Sequence, residues 1–548
     1  MKRLLLFLLA LATVAVLAAC TANEDAGQDP ENDVEAEEPE STDGESEEEG
    51  TETETNEKVL RLNNGVEPTS LDPSIGFDAV SWDPLNNLME GLTRLDQDSV
   101  AGPGVAEDWD LSEDGLTYTF YLDPVVAEDF VYAWKYMLDP DNASAAAFLA
   151  YFIEGGEAFN TGEGSAEDVA VTAVDDKTLE VVLEAPTGFF LDVLTNPAFF
   201  PVNHKVAEEN PNWHAEADSF VANGPFMLES WDHDSEMVFV KNPEYWDADT
   251  VKLDKIHWAM VNDTNTQYQM FETGDLDTAS IPPELSDQLI ESDNVYIGDY
   301  GGLEFYRFNT TMEPFQNKKI RQAFSYALNR ADIAEYIVKN GVEPAYGFVS
   351  PGFTTPDGRD FRDENGDLVS LDPELAKQLL AEGMEEEGYD ELPEVVLSYS
   401  TSDVNKAVAE TMQSMISDNL GVDVSLENQE WNVFAEAQQN LELQFSRSSF
   451  INDYSDPVNF LESFVTDSYM NRTGWSNAEY DELIANGKSE TDEEQRYEYL
   501  YEAERMLAEE MIATPIRYYN TVVLEADGVE GILRHAVGYF DLKYADKN

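Results

Sequence analysis

The chain has 548 residues, too many for one small core, and length alone sets an expectation of two to four domains. It carries 30 Lys and Arg against 113 Asp and Glu, a formal net charge of −83, and such a surface repels nucleic acid and anionic membranes. Hydrophobic residues make up 42%, enough for a core, and a single Cys leaves no internal disulfide to form. The acidic excess reads as adaptation to concentrated salt, where charges are screened over roughly 3 Å.

The chain starts with Lys2-Arg3, followed by an apolar run from Leu4 to Leu17 that is short for a membrane span. Residues 1–19 therefore read as a signal peptide. The ending Leu17-Ala18-Ala19-Cys20 resembles a bacterial lipobox, in which Cys20 becomes diacylated and is the new first residue. Residues 21–57 hold 17 acids and no Lys or Arg, so 20–57 reads as a lipidated Cys on an extended, disordered tether. Most of the negative charge still belongs to the body.

In the body, Val59 to Asn64 reads as a strand, leading into Leu71-Asp72-Pro73. Leu116 to Leu122 alternates as a second strand. Phe130, Ala133, Trp134, Met137 and Leu138 fall on one helical face, stopped by Asp139-Pro140, and that stripe reads as core. Leu179 to Leu183 and Phe226 to Leu228 read as strands, and Arg321 to Val338 as one amphipathic helix. Asp372-Pro373 supplies an N-cap and first turn for a helix ending near Gly388. Val395 to Tyr399, the helix from Asp403 to Leu420, and Val422 to Leu426 form a βαβ unit, hence an α/β class.

Motifs for an enzyme are missing. There is no Gly-x-Ser-x-Gly, His-Glu-x-x-His or phosphate loop, and the five His are scattered. Asp363, Asn365, Asp367 and Glu374 fit part of a calcium-loop pattern, but Leu368 stands where its Gly is needed, so the stretch reads as an acidic turn. No metal or cofactor is expected.

The informative stretch is Arg447-Ser448-Ser449-Phe450-Ile451-Asn452-Asp453-Tyr454-Ser455-Asp456-Pro457, downstream of Glu430-Trp431. By composition Asp453 is a turn residue. In register, Trp431, Arg447, Phe450 and Asp453-Tyr454-x-x-Pro457 resemble the oligopeptide-binding lipoproteins of ABC importers, extracellular solute-binding protein family 5. The resemblance runs from Val59 to the end, through Ala127 to Trp134, Asn223-Gly224-Pro225-Phe226 and Asn242-Pro243-Glu244-Tyr245-Trp246.

The resemblance implies an α/β, two-lobe fold of the periplasmic-binding-protein type II, peptide- and nickel-binding class, with an extra subdomain. Lobe I would comprise 58–89, 223–305 and 516–548, with 90–222 as its subdomain, and lobe II 306–515. The lobes would close on an extended peptide for delivery to ABC permease subunits, outside the cytoplasmic membrane. Asp453 would hold the peptide's ammonium, while Trp431 and Phe450 would offer apolar faces. Arg447 would meet a carboxylate. Ser449, Phe77 and Asp78 would border the ligand, and so would Asn405 and Gln438, which stand where relatives often carry basic residues, implying looser carboxylate recognition. Two departures stand out. A Trp-Ser-Asp-Gly segment expected after Leu122 is missing before Asp123-Pro124, and Ala145-Ala146-Ala147 stands where a cleft tyrosine is common. Alternatives are a dipeptide, an oligosaccharide or a nickel chelate as ligand, or a peptide-sensing receptor. A secreted hydrolase is the less favoured reading.

Overall fold

The computed structural model describes residues 57–466 and 468–548; the stretches expected to be signal peptide, lipidated Cys20 and tether, up to Asn56, lie outside the described residues. The body begins with β1 (Val59–Asn63), and β2 (Ala106–Leu111) and β3 (Thr117–Leu122) follow. Then come α1 (Ala127–Leu138), β4 (Val171–Asp175), β5 (Thr178–Val182), β6 (Phe226–Asp232), β7 (Glu236–Lys241) and β8 (Lys255–Ala259). Strands β2-β3-β5-β4 form an antiparallel sheet. Another sheet has the order β1-β8-β7-β6, with β1 and β8 parallel.

The α1 stripe is buried as its spacing dictates: Phe130, Ala133, Trp134, Met137 and Leu138 are all fully covered, and the Trp134 indole N–H donates to the Phe199 carbonyl at 2.9 Å. The missing segment after Leu122 leaves no gap. Asp123 N–H donates to the Val105 carbonyl and Leu122 N–H to that of Lys177, both at 2.9 Å, so a four-residue link joins β3 to α1.

The second half opens on β9 (Thr278–Ser280) and the long β10 (Val295–Phe308). It continues with α2 (Lys318–Tyr326), α3 (Pro373–Glu387), β11 (Val395–Ser400), α4 (Asp403–Leu420), β12 (Val424–Gln429), α5 (Trp431–Gln439), β13 (Phe445–Ile451), α6 (Glu493–Glu510) and β14 (Ala513–Glu525). These strands make one six-stranded sheet, β9-β14-β10-β13-β11-β12, whose last three strands are parallel. The βαβ unit is present, with Ser402 capping α4 and Gly421 ending it at φ 69°. Asp372 accepts from the Leu375 N–H and Gly388 closes α3.

The expected single helix from Arg321 to Val338 is two pieces. It stops at Tyr326, and Asn329 caps a new start by accepting from the Asp332 N–H. Buried Arg330 holds the break, its guanidinium donating to the carbonyls of Ser325, Leu328 and Pro515. Amphipathic spacing survives such a break, which is why the pattern conceals it.

After β14 the chain returns to the first sheets. Asn86 and Asn87 donate to the Phe540 carbonyl at 3.1 Å, Lys547 pairs with Asp277 at 2.7 Å, and Arg94 with Asp541 at 2.7 Å.

Candidate functional site

The parallel strands β11, β12 and β13 all finish on one side of the sheet, and ligands gather at such carboxyl ends. Trp431 starts α5 just past β12. Asp453 follows β13, an interior strand rather than the sheet's edge.

The loop holding Asp453 is pinned from several directions. Asn452 N–H donates to the Gly301 carbonyl at 2.9 Å, and its side chain donates to the Tyr454 carbonyl at 3.0 Å. Asp453 N–H donates to Asn459 Oδ1 at 2.7 Å, and its carbonyl accepts from Asn196 Nδ2 at 3.0 Å. The Tyr454 ring stacks on Phe189 at 5.2 Å, and its hydroxyl donates to Glu462 at 2.7 Å. Asp456 takes the N–H of Val458 and pairs with Arg496 at 2.6 Å, both side chains buried.

That leaves the Asp453 carboxylate. Among the described residues, no Lys, Arg or His nitrogen lies within 4 Å of it. Burial, aided by the nearby Glu462 charge and partly offset by Asn459, pushes its pKa up to about 6. A cation brought from outside would relieve that cost.

Four other expected residues, Trp431, Gln438, Arg447 and Ser449, line one cavity of about 180 Å³ together with Arg307 and Arg472. Trp431 is 58% exposed, presenting its ring to solvent. Gln438 is buried, donating to Ser446 Oγ at 2.9 Å and the Arg447 carbonyl at 3.0 Å. Arg447 is already occupied: its Nε donates to Glu304 at 3.1 Å and Nη2 to the Tyr519 hydroxyl at 3.1 Å. Glu304, fully buried, also holds Arg517 at 2.8 Å. Burial works against the Arg447 charge, but Glu304 outweighs it and raises the pKa.

The remaining residues lie apart from this cavity. The Phe450 ring packs on Phe460 at 5.2 Å. Asn405 is buried at the start of α4 and donates to the Ser400 carbonyl at 2.9 Å, tying helix to strand end. Phe77 sits edge-on to Trp82 at 5.0 Å and Phe148 at 5.8 Å. Asp78 caps the helix Ala79–Leu88 through the Ser81 N–H. Sequence reasoning missed Arg307 and Arg472, which carry no local motif. It also missed Phe148, 45% exposed one residue past the triple alanine, whose only signal is its position.

A second cavity, about 300 Å³, is lined by Asn63, Asp83, Gln267, Arg534, His535 and Tyr539 among others. It contains no expected site residue. Burial raises the Asp83 pKa well above the usual carboxylate range and lowers that of His535 to about 4.

Residues 101–472 match the family model described as bacterial extracellular solute-binding proteins, family 5 Middle. The chain is 53% identical over 549 residues to the dipeptide-binding protein DppE of Bacillus subtilis (strain 168), covering 98% of each. Among solved structures it is similar to the unliganded open form of MppA, a periplasmic murein tripeptide-binding protein, with TM-score 0.79, 28% identity and coverage of 90% of this chain and 98% of that one. Against Listeria monocytogenes OppA bound to peptide the TM-score is 0.68, at 29% identity and coverage of 90% and 100%. At nearly equal identity, the geometry sits nearer the open, empty form. Both neighbours share the α/β, two-lobe class expected from the sequence.

Proposed function

This chain belongs to the bacterial extracellular solute-binding proteins of family 5, and we propose that it captures oligopeptides by their free amino terminus and delivers them to an ABC importer. The observation that carries this reading is Asp453: a carboxylate raised to about 6 by burial, fixed on a pinned loop, with no basic partner among the described residues. An ammonium group is the complement it lacks. The nearer likeness to an open form supports a hinge motion in which ligand contacts favour closure of the lobe built on the six-stranded sheet, whose strands reach from Thr278 to Glu525 rather than stopping at the expected 306 and 515, on the lobe built on the sheet β1-β8-β7-β6, with 90–222 as a subdomain. Backbone pairing with the peptide would give affinity with little sequence preference. Trp431, Phe450, Ser449 and Phe77 would supply the walls, while Asn405, Gln438 and Asp78 would hold those walls in place. A dipeptide as ligand is the second reading, favoured by the 53% identity to a dipeptide-binding protein. The protein would act without turning over its ligand, anchored through Cys20 outside the cytoplasmic membrane, on a surface suited to salt.

Calorimetry tests the assignment. Removing one partner of a desolvated ion pair costs roughly 2–5 kcal/mol, so Asp453→Ala should weaken peptide binding about 30-fold to several thousand-fold. Acetylating the peptide's amino terminus should weaken the wild type similarly and add little in the variant, since both changes delete one interaction. Equal binding of free and acetylated peptide to the wild type would remove the ligand assignment.

A further inference from the structure

The cavity beside Trp431 is basic in a protein that is otherwise acidic. Arg307 is 2% exposed; its Nε donates to Ser448 Oγ at 2.9 Å and Nη1 to the Met470 carbonyl, while Nη2 has no partner among the described residues. Arg472 donates only weakly, at 3.3 Å, to Gln438 Oε1, and its buried Nε has no partner. Among the described residues, no carboxylate lies within 4 Å of either guanidinium, whereas Arg447 next to them is matched by Glu304. Burial and the Arg472 charge lower Arg307 to about 9. Two guanidiniums facing one cavity of about 180 Å³, with donors to spare, form an anion receptor.

We infer that this cavity takes a carboxylate of the bound peptide, held between Arg307 and Arg472 against the Trp431 ring, and that it makes an acidic side chain at the fourth or fifth position the preferred cargo. The inference rests on the peptide-binding reading and adds a specificity to it. Ser449, which lines the cavity, precedes Asp453 by four residues, roughly 14 Å of extended chain at about 3.4 Å per residue. An extended peptide advances at the same rate. One anchored at Asp453 therefore brings its fourth or fifth side chain to the cavity. The terminal carboxylate of a tetrapeptide offers the same chemistry at about the same distance. Arg307 and Arg472 would be specificity-determining residues, and Arg447, occupied by Glu304, would position β13 against β10, which carries Arg307.

Calorimetry on the full chain separates these sources with four pentapeptides: Ala-Ala-Ala-Glu-Ala, Ala-Ala-Ala-Gln-Ala, penta-alanine and the last with an amidated carboxyl terminus. Charge-assisted hydrogen bonds imply that wild type binds Ala-Ala-Ala-Glu-Ala at least about tenfold more tightly than Ala-Ala-Ala-Gln-Ala. In Arg472→Gln that ratio should fall below about threefold, and in Arg472→Lys, which keeps a charge but loses the fork, it should lie between. The wild-type ratio is decisive even if a variant fails to fold. Equal affinity for the Glu and Gln peptides overturns the inference. If amidation alone abolishes binding while Glu and Gln remain equivalent, the cavity holds the terminal carboxylate and the side-chain preference is lost. N-acetylated Ala-Ala-Ala-Gln-Ala separates the two levels: if acetylation still weakens binding, peptide capture at Asp453 stands even where the cavity fails.

Discussion

Asp453 and Asp456 are three residues apart in one loop, and the molecule treats them oppositely. Asp456 is buried against Arg496 at 2.6 Å, and the pair keeps the Arg496 charge in place despite its burial. Asp453 is half-buried, has Glu462 for a neighbour and receives no cation among the described residues. The same side chain thus serves as a clamp where its charge is answered inside the fold and, on the proposed reading, as a receptor where it is not. The answering partner decides the role, and only the fold supplies it.

The largest effect should come from breaking the clamp. Asp456→Ala leaves Arg496 buried and unpaired, which should lower unfolding free energy by about 3–5 kcal/mol, read from the shift of a urea transition. An unchanged midpoint would erase the contrast.

Acid should act on the receptor. The pKa of Asp453 is about 6 in the free fold and near the ordinary carboxylate value when unfolded, so the native state binds its proton more tightly. Its contribution to stability is therefore greatest below the unfolded value and is lost as pH rises toward 6. Ligand affinity runs the other way, because an ammonium needs the ionised form. Binding at pH 5 should be about tenfold weaker than at pH 7, and the dependence should vanish in Asp453→Asn, whose melting temperature at pH 7 should not fall. A flat pH profile in the wild type would mean that the carboxylate is not the contact.

The smallest effect concerns the many acids that are neither clamp nor receptor. Raising NaCl from dilute to molar should screen their mutual repulsion and lift the melting temperature by roughly a few degrees. A flat or falling curve would show that the acidic surface is not a salt adaptation.

Asp453 was legible in the sequence because Trp431, Arg447, Phe450, Asp453 and Pro457 fall in one short register on α5, β13 and the following loop. The α1 core stripe and the caps Asp372 and Gly388 were legible for the same reason: each is a local pattern. Arg307 was not, because it meets β13 only across the sheet, with Ser446 opposite it and Ser448 accepting from its side chain across well over a hundred residues of intervening chain. The Arg447 pairing with Glu304 was hidden likewise, and so the arginine nearest the motif drew the carboxylate role while the two unanswered ones passed unnoticed. The break after Tyr326 was invisible because the carbonyls it frees are satisfied by Arg330, a side chain that looks at home in a helix.

The basic cavity lies beneath a surface with a formal net charge of −83, and this arrangement sets capture and retention against each other. A field of that sign slows the approach of an anionic peptide and hastens that of a cationic one, most strongly in dilute buffer. Two buried guanidiniums act only after arrival, and they slow departure. Preference for acidic cargo would then be written in the dissociation rate, while added salt would quicken association and leave residence time nearly untouched. In a mixture sampled briefly the protein would load whichever peptides arrive first; given time, it would exchange them for the acidic ones.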